Sequence, residues 1–466
     1  MCADQYSHTE WLDCLATRWD NSGEALMSQI SDAERNIEHM LDTEWKAKMD
    51  GVVPGTPLDV ERFFKLDVLD PTPPGYVEPL VIEGEQDDQL WLVYCEVYRD
   101  RSIHFRVSDD AGRTWQQEWT AKDSAGRDIP GFHISVLRLQ SGRLGMIYSD
   151  VNKEYGHPGR ESQSMVHYRV SDDGRTWSDP VLLGWSHSCC CTGHAVVLSS
   201  GRILAPSFRW ISPLPGGEAE DWQANALGVP SPTFSYSFVY ISDDEGTTWK
   251  RSLSELFLSM ERAAWDLEEP SVIELQDGRL LMHLRAAQGR MYKSYSSDAG
   301  FSWTRPEAVQ IAAANAPCFL RRMPSTGELL MVWNQASRQE IVTSRCRMRL
   351  SCALSRDEGQ SWENFKNLES LDDVTRITPP PDYETKACVP HEVYSHLQPE
   401  PKERFHRTPG ILRVCYPTIA FAGGEAAIAF DIGYGVLGRG LGARLRVIPL
   451  EWFKEDKATS PFRKLL

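Results

Sequence analysis

One short phrase is written five times along this chain. It reads Ser108-Asp109-Asp110-Ala111-Gly112-Arg113-Thr114-Trp115, then Ser171-Asp172-Asp173-Gly174-Arg175-Thr176-Trp177. It returns as Ser242-Asp243-Asp244-Glu245-Gly246-Thr247-Thr248-Trp249, Ser297-Asp298-Ala299-Gly300-Phe301-Ser302-Trp303 and Ser355-Arg356-Asp357-Glu358-Gly359-Gln360-Ser361-Trp362. The copies are roughly 55 to 72 residues apart, and self-similarity at such spacing marks an array of like units. Asp followed by Gly sets a tight turn: the carboxylate caps it and glycine takes the positive φ. The Ser or Thr hydroxyl bonds the same turn, and Trp closes the hairpin with a large apolar surface. Alternating runs such as Ile103–Val107 and Phe238–Ile241 precede the copies and read as strands entering a hairpin. The phrase is a structural staple, and the chemistry is expected elsewhere.

A second element interleaves with the first: an apolar strand, a turn, and another apolar strand. The clearest copy runs from Glu269 through Gly278-Arg279 to Arg285. Others run from His133 past Gly142-Arg143 and from Ala195 past Gly201-Arg202, with looser copies starting at Glu78, Cys318 and Tyr416. Near-continuous hydrophobicity predicts strands buried on both faces. Six units of about four strands, each with its first strand innermost, predict an all-β fold, a six-bladed β-propeller. Residues 8–50 instead place Trp11, Leu12, Leu15, Ile30, Ile37 and Leu41 at roughly helical spacing. Residues 1–57 are therefore read as a short helical appendage with a linker at 51–57, and 58–466 as the propeller. Two long insertions, 211–234 and 376–409, break the rhythm and are candidates for functional loops.

The balance of charge is −17. That disfavours nucleic acid or an anionic membrane as partner, while leaving room for a small anionic substrate held by a local arginine cluster. No apolar run reaches the roughly 18 residues of a membrane helix. The first residues carry neither a basic start nor an apolar core. With 11 cysteines, three of them adjacent at Cys189–Cys191, and no Asn-x-Ser/Thr sequon, free thiols in a reducing, cytoplasmic setting are expected. Those cysteines with His187 and His194 lack a standard zinc spacing, and neither metal nor cofactor is predicted.

The Ser-x-Asp-x-Gly-x-Thr-Trp boxes on a six-unit β repeat resemble the sialidase superfamily over roughly residues 70–455. The resemblance implies an active site on inner strands, made of three arginines, a Tyr–Glu pair and an acidic Asp. It places the Tyr-partnering glutamate at Glu269 and the second arginine at Arg285. It sets the third arginine at Arg347, before the fifth box, and the nucleophilic tyrosine at Tyr416. The first arginine has no counterpart: Tyr76-Val77-Glu78-Pro79 puts Val77 in its place and a carboxylate after it. Asp100 is the candidate general acid, with Glu96 behind it. Glu78 and His133 stand at strand starts matching that of Glu269 and are expected to face the channel, with His194 close by as a further sugar contact. Trp185, Trp210, Trp222 and Trp265 lie outside the boxes and are available for stacking on sugars.

The implied activity is an exo-glycoside hydrolase acting on a carbohydrate, sialic acid or another acidic sugar, with retention. A tyrosine suits this chemistry, because an anionic sugar repels a carboxylate nucleophile. Arginine forks bind the sugar carboxylate bidentately. Two alternatives keep the propeller: a lyase or other exo-glycosidase on uronate- or deoxysugar-containing glycans, using His133 or His194 with Tyr416, and a non-catalytic glycan-binding protein.

Overall fold

The structure is a computed structural model. It describes residues 52–54, 64–69, 77–95, 102–151, 164–184, 188–211, 234–258, 267–286, 289–336, 347, 349–370, 374–376, 412–434 and 439–455. It is a six-bladed β-propeller. Blade one is formed by Leu80–Glu83, Leu90–Tyr94, His104–Ser108 and Gln116–Thr120, paired antiparallel in that order. Blades two, four and five repeat the plan, opening with Phe132–Arg138, Glu268–Glu274 and Phe319–Arg322. Blade three splits its first strand into Ser188–Cys190 and Val196–Val197, both paired to Ile203–Ile211. Blade six is built from both ends of the chain. Leu412–Ala422, Glu425–Tyr434 and Arg439–Pro449 are completed by Phe64–Leu69 on the outer edge, with Phe64 opposite Val447.

Neighbouring blades touch in succession around the axis, with the first strand of blade four lying on Ile203–Ile211 of blade three, and the first strand of blade six reaches that of blade one, which closes the ring. Six apolar clusters follow from this closure, one between each pair of neighbouring blades. One joins Trp91 and Phe105 of blade one to Val136 and Met146 of blade two. Another joins Leu445 and Val447 of blade six to Leu90 and Leu92 of blade one. Each central strand has a neighbouring blade on both faces, so Leu280–Arg285, Leu329–Asn334 and Leu350–Ser355 are buried at every position. The continuous apolar runs in the sequence have this cause.

Four boxes form one turn and the second, a residue shorter, forms a tighter version of it; in the fourth the turn is held by Ser296 rather than Ser297. In the first, Ser108 Oγ accepts from Gly112 N at 2.8 Å, and Asp110 accepts from Thr114 N at 2.8 Å and Thr114 Oγ1 at 2.6 Å. The box glycines have φ between 71° and 92°. They also meet the blade before them. A Cβ at Gly246 of blade three would lie 1.9 Å from Tyr168 Cε1 of blade two, and one at Gly359 of blade five 2.5 Å from Leu281 Cδ2 of blade four. The box is thus a joint between blades as well as a turn, and glycine is required twice over.

Val52–Pro54, within the stretch read as a linker, pairs with Val374–Arg376. The predicted helices of residues 8–50 and nearly all of the two long insertions lie outside the described residues. The helix Leu450–Lys454 follows the last strand. Among the described residues no helix is long and apolar enough to cross a membrane.

Candidate active site at the blade axis

Three inner strands bend in the same strained way, two of them at their start and the third, Leu412–Ala422, at its fifth residue. His133 of blade two, Glu269 of blade four and Tyr416 of blade six have φ of 51°, 44° and 52°. This left-handed region costs a non-glycine residue roughly 1–2 kcal/mol. At each position the pairing with the second strand slips: between Phe132 and Ser135, Glu268 and Ser271, and Cys415 and Thr418. Such a bulge re-aims one side chain out of the regular pleat. Among the described residues, the other non-glycine residues with positive φ are Ala111, Glu245, Ala299 and Glu358 in the box turns, and Asn364. Strain away from turns is therefore concentrated where three alternate blades converge, a pattern that marks functional sites.

The three side chains meet. The Tyr416 hydroxyl donates to Glu269 Oε1 at 3.0 Å. The His133 and Tyr416 ring centres are 6.4 Å apart. Arg285, at the end of the strand paired with that of Glu269, places Nη1 2.5 Å from Glu269 Oε2. Its Nε donates to Asn315 Oδ1 at 2.5 Å. Arg347 Nη2 donates to the Asn315 carbonyl at 2.8 Å, and its guanidinium carbon lies 5.5 Å from the centre of the Tyr416 ring. Asn315 thus fixes both arginines relative to each other. Across the site, Glu78 Oε2 accepts the His133 backbone N–H at 2.9 Å and the Thr192 hydroxyl at 2.6 Å. The same oxygen is 3.0 Å from His133 Nδ1, a close ion pair whose angle falls short of an aligned hydrogen bond.

Electrostatics separates the groups. Burial raises the Glu269 carboxyl, but Arg285 beside it, helped by His133 and Arg347, outweighs this and holds it below the usual carboxylate range. Burial, reinforced by the Glu269 charge, pushes the Tyr416 phenol well above its ordinary value. Burial disfavours a charged His133, yet the Glu78 carboxylate overcomes it and raises the imidazole. Glu78 is lowered in return: burial opposes the charge, but His133 and Thr192 favour it more. At neutral pH the site therefore holds a neutral tyrosine against an ionised glutamate, and beside it a second carboxylate that favours the protonated form of His133.

The residues expected from sequence fall into three groups. Glu78, His133, Glu269, Arg285, Arg347 and Tyr416 are brought together. His194 is buried: its Nδ1 lies 3.0 Å from the Pro270 carbonyl, and its ring packs on Phe319 at 5.3 Å. It touches the strand that carries Glu269 through that backbone contact. Asp100, Glu96, Trp185, Trp222 and Trp265 lie outside the described residues, as does the Trp210 side chain. Val77 is packed in the apolar cluster between blades six and one. Thr192 and Asn315 were missed. Thr192 had a signal, since it stands as far before Gly201 as His133 before Gly142 and Glu269 before Gly278. Asn315 had none, because it sits between blades four and five, outside the repeated strands. Among the described residues, no group of three or more His, Cys, Asp or Glu is placed to hold a metal ion.

The buried histidines carry a pH prediction. Burial lowers His194 to about 4 and His283 to about 3. Both folded values lie below the unfolded one of roughly 6.5. The unfolded chain therefore binds more protons below that pH, and stability falls as pH drops through this window. At pH 5 each histidine should cost about 2 kcal/mol relative to pH 7.5. Urea unfolding at the two pH values tests this. His283→Phe should flatten the fall, and an unchanged pH slope would reject the assignment.

Comparison with known proteins agrees with this architecture. Residues 96–424, more than half the chain, match the family model of the BNR repeat-like domain. No curated protein matches the chain in sequence. A protein of unknown function from Dyadobacter fermentans DSM 18053 superposes with a TM-score of 0.55 at 14% identity, covering 86% of this chain and 100% of that one. The Hadza microbial sialidase Hz136 gives 0.51 at 14% identity, covering 80% and 65%. Trypanosoma rangeli sialidase gives 0.52 at 12% identity, covering 84% and 60%. The chain thus spans less than two thirds of either sialidase, and at these identities the likeness is one of fold.

Proposed function

Because this chain belongs to the BNR repeat-like domain family, we propose, from that premise, that it is a sialidase-like exo-glycoside hydrolase acting on an acidic sugar. The observation that carries the reading is the Tyr416–Glu269 hydrogen bond of 3.0 Å, made by two residues that are both held in left-handed backbone on inner strands. Tyr416 is the nucleophile and Glu269 its base. With the phenol raised and the carboxyl lowered, the proton rests on Tyr416. Transfer to Glu269 becomes favourable as positive charge develops at the anomeric carbon, so the pair stabilises the transition state more than the ground state. A neutral nucleophile avoids repelling the sugar carboxylate. Arg285 and Arg347 supply the cationic surface for that carboxylate. Water then cleaves the tyrosyl–sugar bond, and the anomeric configuration is retained.

The test follows turnover of an aryl sialoside and an aryl uronide, with mass spectrometry of the protein during turnover of an analogue fluorinated at the carbon next to the anomeric one. The reading expects fluorophore release and a mass increase of one sugar on the peptide containing Tyr416. Unsaturated sugar without fluorophore release from the sialoside would instead indicate the lyase. Binding without either product would indicate a glycan-binding protein.

A further inference from the structure

We infer that His133, oriented by Glu78, is the acid–base residue of this site and protonates the leaving oxygen. The inference rests on the hydrolase reading above and names the proton donor that this reading requires. Three observations carry it. First, His133 shares with Glu269 and Tyr416 the strained backbone and the bulge that turn a side chain toward the axis. A histidine that merely filled space would not need that conformation. Second, Glu78 grips His133 twice, at its backbone N–H and beside Nδ1, while Thr192 holds the same carboxylate oxygen. A buried carboxylate on one ring nitrogen orients the imidazole and leaves Nε2 to carry the transferable proton, as the buried aspartate does in catalytic triads. Third, the His133 side chain retains 13% exposure, against 1% for Glu78, 4% for Glu269 and 7% for Arg285. Among these groups the imidazole has the greatest access to a leaving oxygen or a water.

The charges around His133 are consistent with this role. Glu78 and Glu269 favour its cation, Arg285 opposes it, and His194 is held neutral nearby. Tyr416, 6.4 Å away between ring centres, is neutral at rest. The steps balance. As the anomeric C–O bond breaks, His133 gives its Nε2 proton to the leaving oxygen. The Tyr416 oxygen bonds to the anomeric carbon and its proton passes to Glu269. The neutral imidazole then takes a proton from water, the resulting hydroxide attacks the anomeric carbon, and the Tyr416 oxygen leaves and recovers its proton from Glu269. One water is consumed and both pairs return to their starting states. Val77 stands where the resemblance puts a first arginine, and the carboxylate after it, Glu78, is the one that holds His133.

Leaving-group dependence tests the assignment. Values of kcat/KM, which report the step that breaks the glycosidic bond and not the later hydrolysis of the tyrosyl–sugar bond, are measured for the full chain and for His133→Gln, Glu78→Gln and Asp100→Asn on two sialosides, one with an aryl and one with an alkyl leaving group. His133→Gln should lose about 10²–10⁴-fold on the alkyl sialoside and at most about tenfold on the aryl one, which departs without a proton. The basic limb of the wild-type pH profile should vanish in His133→Gln and move to lower pH in Glu78→Gln. NMR titration of the His133 ring, without substrate, should show its pKa falling in Glu78→Gln. Equal losses on both sialosides, or leaving-group dependence in Asp100→Asn alone, would overturn the assignment and leave the hydrolase reading standing. Absence of wild-type turnover on every acidic glycoside would overturn both. A His133 pKa that ignores Glu78→Gln removes the pair on its own.

Discussion

Tyr416→Phe should lower kcat/KM on an aryl sialoside by at least about 10³-fold, roughly 4 kcal/mol of transition-state stabilisation. The substitution removes one oxygen. It takes away the atom that bonds the anomeric carbon and the proton that Glu269 accepts at 3.0 Å. The phenyl ring still fills the site beside Arg347 and His133, and Glu269 keeps Arg285 at 2.5 Å. Folding should therefore be little changed, with a denaturation midpoint close to wild type. Glu269→Gln should also be slow, but it leaves Arg285 without its close carboxylate and should lose stability as well as rate. Initial rates and urea midpoints on the same preparations separate the two effects. A Phe variant with more than about a tenth of wild-type activity would exclude Tyr416 as nucleophile, because the phenyl ring offers no oxygen to bond the anomeric carbon.

The largest effect on stability is expected at a glycine far from the chemistry. Gly246→Ala should destabilise the protein by about 2–4 kcal/mol, combining left-handed strain with overpacking. The new methyl would fall 1.9 Å from Tyr168 Cε1, on a backbone with φ of 87°. Tyr168 cannot easily retreat. It is buried among Leu139, Ile147, Phe238 and Tyr240, and its hydroxyl donates to the Glu245 carbonyl at 2.9 Å. Gly278→Ala is the control. Its φ of 82° is similar, but nothing lies within 4 Å of the added carbon, so only strain of about 1–2 kcal/mol remains. Denaturant unfolding of both variants measures the difference. Equal losses would show that the box glycine serves the turn alone and does not join blades.

The two predictions test different kinds of information. The turn chemistry behind Gly246 was legible, because Asp caps, positive-φ glycine and the closing Trp act over a few residues. The role of that glycine as a joint was not, because Tyr168 is two hairpins away in sequence. At the site, Glu269, Arg285, Arg347 and Tyr416 came from resemblance to a family, and Glu78 and His133 from their place in the repeat. The resemblance paired Tyr416 with Glu269, but neither route could pair Glu78 with His133. The Glu78–His133 contact follows from the adjacency of blades one and two. Thr192 joins them from blade three, 114 residues from Glu78 in sequence. Asn315 belongs to no repeat and was invisible until both arginines were seen to bond it.

The sequence by itself determined a ring of like hairpin units, since local turn chemistry and two-faced hydrophobicity repeat along it. Only the tertiary structure decided which residues meet at the axis. Closure of the ring by Phe64–Leu69 against Arg439–Pro449 brings blade six beside blade one. The bulges at His133, Glu269 and Tyr416 then turn three inner-strand side chains toward one point. A strand pattern specifies the face on which a residue lies, but not the bend that re-aims it. That bend is stored as backbone strain, which the packed blades on either side hold in place.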